Sequence, residues 1–168
     1  TDYMSESGDT KPRARGWSYM AKGRAYGTMT AAGITALMVA KSEVADLSGR
    51  EKAEVNRSVR DALAWFQLHW SVEANPESQA GAGLASGAHY YHLYGLERIG
   101  VLTGVSGIAG HSWYREGAEV LLKQQKPDGS WGDLPRLPED PGIKTAFALL
   151  FLSRATNAEY AGYETGGR

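Results

Sequence analysis

Helical stretches that are apolar around their whole circumference alternate along this chain with stretches apolar on one stripe only. No other feature so narrows what it can fold into. Thr28 to Lys41, the aromatic-rich His89 to Ile99, and Ile143 to Ala155 are of the first kind; Arg50 to Val72 and His111 to Lys126 are of the second. A helix with no polar face must be covered on most sides, and a helix with one apolar stripe can cover it on one. Two layers of antiparallel helical hairpins satisfy both needs, so the expected class is all-α. No period-two run or Asn-Gly hairpin competes with this reading.

Local signals sharpen the boundaries. In the second stretch Val55, Val59, Ala62, Leu63 and Phe66 recur at three- and four-residue steps, with Glu51, Lys52, Arg57, Arg60 and Asp61 off that stripe. Ser48 with Glu51 three residues later spells a capping box at its start. In the fourth, Trp113 or Tyr114, Ala118, Leu121 and Leu122 are the expected inward residues. Residues 75–83 read as a loop, as does the proline-rich stretch holding Pro135, Pro138 and Pro141. A single repeat domain is expected over 16–155, with a polar, flexible segment at 1–15 and a flexible tail at 156–168. The polar opening without an initiator Met reads as an excised piece, which leaves the compartment open.

Composition removes several function classes. Eighteen Lys+Arg face nineteen Asp+Glu, so bulk charge gives no pull toward nucleic acid. No apolar run approaches the roughly 20 residues of a membrane span. Cysteine is absent, which removes disulfides, thiolate zinc sites and cysteine nucleophiles.

The run Gln125-Lys126-Pro127-Asp128-Gly129-Ser130-Trp131-Gly132 reads as a helix end, a tight turn at Asp128-Gly129 and an anchored indole. Trp131 precedes Thr145-Ala146 by fourteen residues, as Trp17 precedes Thr30-Ala31 by thirteen, and each Thr-Ala pair opens an all-round apolar helix. Arg60 to Phe66 also matches Arg115 to Leu121, which gives a hairpin unit of about 50–60 residues, typical of stacked helical arrays. On Leu121, Gln125, Gly129 and Trp131 the chain resembles the terpenoid cyclase/protein prenyltransferase superfamily and its QW repeats. The likeness covers roughly residues 16–155 and is closest to squalene-cyclase-like repeat domains of long bacterial proteins. Val120 stands where an aromatic is usual, Trp70 replaces the glutamine of the copy at Arg60, and the first copy keeps only Gly16-Trp17. The resemblance implies a partial α/α toroid in which Gln125, Asp128, Gly129, Trp131 and Trp17 are structural, the glutamine amide capping neighbouring helix ends and the indole packing over a turn.

Chemistry is sparsely signalled. The Asp-x-Asp-Asp acid of the cyclases is missing, and the prenyltransferase zinc site cannot form without cysteine. Glu139-Asp140 reads as a solvated loop pair. The best ligand-binding candidates are His89, Tyr90, Tyr91, His92 and Tyr94, whose rings suit carbocations, isoprenoids, sugars or an aromatic-anchored peptide; packing between helices is the competing role. His89 and His92 share a helical spacing that could ligate a metal but lack a third ligand, so no metal and no cofactor is expected. Glu97-Arg98 reads as an ion-paired or exposed helix end, and Glu116 as a helix-dipole partner. Catalytic residues are not identified. The leading expectation is a non-catalytic structural or ligand- or protein-binding module of a larger protein. The first alternative is part of an isoprenoid cyclase whose acid lies outside this chain, and the weaker one a carbohydrate-active (α/α) toroid. Two and a half hairpins cannot close a toroid, so self-association or a neighbouring domain is expected.

Overall fold

Among the described residues five α-helices order the chain: α1 (Gly27–Glu43), α2 (Gly49–Leu68), α3 (His89–Thr103), α4 (Trp113–Gln124) and α5 (Pro141–Ser153). The computed structural model describes residues 13–78, 88–105, 107–132 and 141–154. Among these residues there is no strand, only an isolated antiparallel bridge between Ile108 and His111. The protein is therefore all-α. The expectations for residues 1–12, for 79–83, for Pro135, Pro138 and Glu139-Asp140, and for the tail lie outside the described residues.

The alternation read from sequence becomes two layers. Helix α3 lies between α1 and α5, α2 packs on α1, and α4 packs on α3 and α5. Each hairpin is antiparallel. Lys41 Nζ, near the end of α1, donates to Asn56 Oδ1 near the start of α2 at 2.8 Å. At the far end of α3–α4, Tyr90 donates to Gln124 Oε1 at 3.2 Å. Gly27 of α1 lies against His92 of α3 and Ala31 against Gly95, so α1 and α3 run parallel. Tyr114 at the start of α4 donates to the Leu152 carbonyl at the end of α5 at 2.9 Å, so α5 runs parallel to α3 as well. Phe66, Leu93, Leu96, Ile99, Leu121 and Phe151 are fully buried between the layers.

Helix α2 begins with the expected capping box: Ser48 Oγ accepts from the Glu51 amide, and Glu51 Oε2 accepts from the Ser48 amide at 2.8 Å. Two orphan donors of the first turn are thereby satisfied. Helix α1 has no such local device, because its N-cap Tyr26 makes no side-chain cap bond. The loop after α2 supplies one instead. Asn75 Oδ1 accepts from the Thr28 amide at 2.9 Å, Asn75 Nδ2 donates to Thr28 Oγ1 at 3.3 Å, and the Pro76 carbonyl accepts from the Gly27 amide at 2.9 Å.

The run 125–132 forms the tight turn, with one role exchanged. Gly129 adopts φ +83°, a conformation a side chain disfavours, and its amide donates to the Lys126 carbonyl. Asp128 Oδ1 accepts from the Ser130 amide and hydroxyl, which holds its carboxyl below the usual range. The Gln125 amide reaches only as far as the Gly129 carbonyl, inside the turn, at 3.0 Å. Capping of a helix end falls to the indole: Trp131 Nε1 donates at 2.8 Å to the carbonyl of Leu121, one of the last four in α4 that lack a helical partner. Trp131 is buried, and its backbone amide donates to Thr145 Oγ1 at 3.1 Å. The Trp17 amide donates likewise to Thr30 Oγ1 at 3.2 Å. The Trp–Thr pairs matched in sequence thus make the same bond.

Two helix-interior glycines make room for indoles. A Cβ on Gly33 would overlap the Trp17 ring, and one on Gly100 would overlap the Trp113 ring, whose Nε1 donates to the Val105 carbonyl at 2.9 Å. Several polarity assignments also shift. Arg60 and Asp61, placed off the stripe of α2 by spacing, are buried because residues 13–16 lie across them. Asp61 accepts from the Arg13 amide at 3.0 Å, approaches Arg15 Nε at 3.5 Å and Arg60 Nη2 at 3.2 Å, while its carbonyl takes the Arg15 amide at 3.1 Å. Leu122, expected inward, is exposed, as are Ile143 and Leu149 of α5.

Candidate functional site

Helix α3 carries all five candidate residues and divides them between its two sides. His89, Tyr90 and His92 point into packing between the layers. His89 Nε2 lies 2.8 Å from the Val72 carbonyl and His92 Nε2 lies 3.0 Å from the Ser71 carbonyl. A carbonyl can only accept, so each Nε2 carries the proton and each ring is held as one neutral tautomer. Burial lowers both pKa values, that of His92 to about 4. Both Nε2 atoms are thus engaged by backbone, which removes them as ligands for a metal. Among the described residues no group of three His, Asp or Glu side chains could hold an ion.

Tyr91 and Tyr94 take the opposite side. They flank a groove of about 300 Å³ lined also by Thr28, Ala32, Thr35, Ala36 and Val39 of α1 and by Gly95 and Arg98 of α3. Phe147 of α5 packs against both tyrosines, with ring centroids 5.2 and 5.5 Å apart. Gly95 sits where a Cβ would press on Ala31, so α1 and α3 approach closely there and the groove gets a shallow floor of methyl groups. Arg98 closes it, its guanidinium carbon 5.7 Å from the Tyr94 ring centroid, a cation–π distance.

Arg98 is the site residue that sequence reasoning missed. The signal was present: Tyr91, Tyr94, Gly95 and Arg98 follow the i, i+3, i+4, i+7 rule for one helix face. Its neighbour Glu97, read with it as a helix end, is fully buried instead. Glu116 stands in the first turn of α4, as a helix-dipole partner should, and it has further partners. It accepts from Trp70 Nε1 at 2.9 Å and lies 3.1 Å from His111 Nδ1, while Trp70 stacks on His111 at 4.7 Å, which ties the loop after α2 to the start of α4.

What this arrangement offers is a half-open, mainly apolar slot whose lining, among the described residues, includes two tyrosines, two threonines and one arginine, and no Asp or Glu. No helix among the described residues is long and apolar enough to cross a membrane. No protein-family model, curated protein or solved structure matches the chain.

Proposed function

We propose that this chain is a helical-repeat module of the terpenoid cyclase/protein prenyltransferase type that binds and scaffolds rather than catalyses, as an arc of a larger α/α toroid. The observation that carries the reading is the doubled anchor: Trp17 to Thr30 and Trp131 to Thr145 join the same groups through the same bond, two hairpins apart. The parallel order of α1, α3 and α5, with α2 and α4 behind them, is the order such an arc requires. The groups suited to acid–base work support a non-catalytic role. His89 and His92 are bonded to carbonyls, Asp61 holds residues 13 and 15, and Glu116 is bound by Trp70.

An open arc leaves apolar side chains such as Ile143 and Leu149 uncovered on α5, and surfaces of that kind seek a partner. Sedimentation velocity over a concentration series is the test. Self-association, weakened by Leu149→Glu, is expected; a compact monomer at every concentration counts against the arc. A second reading, a cyclase arc whose acid lies outside this chain, draws on the Tyr91, Tyr94 and Phe147 rings beside the groove, which suit a carbocation. Turnover of a polyprenyl substrate by a longer parent carrying Asp-x-Asp-Asp would favour it.

A further inference from the structure

We propose that the α1–α3 groove binds the carboxylate of a small monoanionic amphiphile, with Arg98 as the charge-recognising residue; the inference deepens the reading of the chain as a binding module and rests on it. Its first support is an incompletely satisfied cation. Arg98 Nε is shut off from solvent and has no hydrogen-bond partner among the described residues. A buried guanidinium donor without an acceptor is costly, and an anion brought against the same delocalised charge offsets that cost.

The second support is the character of the lining. Among the described residues the groove's lining holds one cation and no anion, which is complementary to a single negative charge. A phosphate dianion would call for a second cation, and among the described lining residues Arg98 is the one cation; the planar guanidinium fork matches a planar carboxylate. The remaining walls select an apolar body. Ala32, Ala36, Val39 and Gly95 present little but methyl and methylene surface, and Tyr91 and Tyr94 add ring surface. Thr35 also lines the groove, and a threonine hydroxyl is a donor suited to a carboxylate oxygen. At about 300 Å³ the volume is at the small end of ligand sites, which favours a short chain or a single ring.

Calorimetric titration of the chain with decanoate, decan-1-ol and decylammonium reads the inference directly. Saturable binding of decanoate is expected, with decanol and decylammonium each at least about tenfold weaker. Arg98→Gln should weaken decanoate by about tenfold and leave decanol unchanged. Ala36→Phe fills the slot from an exposed position and should abolish binding of both while thermal stability stays as in the parent. Equal affinities for decanoate and decanol, an Arg98→Gln variant that binds decanoate as before, or no saturation at millimolar decanoate would each overturn the proposal. Sedimentation of the same samples keeps the two readings apart: an associating chain that ignores decanoate rejects the groove ligand and leaves the arc standing.

Discussion

At the scale of single residues, His92 shows how burial turns a titratable group into a stability term. It is fully enclosed, bonded through Nε2 to Ser71 and stacked near Phe66 with ring centroids 6.2 Å apart. Its pKa falls from 6.5 to about 4, chiefly because burial disfavours the charged ring. A pKa lower in the folded state means that the unfolded chain takes up the proton first. The stabilisation is therefore complete above pH 6.5 and is lost as pH falls toward 4, a change on the order of 3 kcal/mol. His89 shifts in the same direction and steepens the loss. His92→Gln, which keeps a donor for Ser71 and removes the titration, should be less stable than the parent at neutral pH and converge on it in acid. Urea unfolding across that range checks this; curves that stay parallel would show that His92 does not titrate as described.

At the scale of helices, the contrast between α1 and α2 separates what neighbouring residues decide from what distant ones do. The capping box of α2 was readable because Ser48 and Glu51 are three apart. The cap of α1 was not, since Asn75 lies 47 residues from Thr28. Asn75→Ala should cost about 1–2 kcal/mol by leaving buried polar groups at Thr28 unbonded, and exchange of the amide hydrogens of the first turn of α1 should accelerate far more than that of α4. Uniform acceleration, or none, would contradict the cap. The same division explains the rest of the sequence reading. All five helices were legible from apolar spacing, with ends displaced by a few residues. The burial of Arg60 and Asp61 was hidden, because the strap that covers them comes from residues 13–16. Helix α3 gave no facing direction, since its polar and aromatic side chains ring the whole circumference; only the surrounding helices decide that His92 turns inward and Tyr91 toward the groove.

At the scale of the whole molecule, the paired Trp–Thr bonds make a comparison possible inside one chain. Thr30→Val and Thr145→Val each delete a hydroxyl that accepts one buried or half-buried amide, at about 1–3 kcal/mol. If the two corners are equivalent units of one architecture, thermal denaturation should register losses of similar size, and the double variant should lose their sum because the sites share no partner. A loss at one site only would mark the likeness as local. The trans-acting cap on α1 carries a consequence for how the chain acquires its shape. The opening turn of the earliest helix stays unsealed until Asn75 and Pro76 reach it, so the element at the front of the chain is finished only after the hairpin it begins has closed. During synthesis, α1 would leave the ribosome well before it could be locked in place.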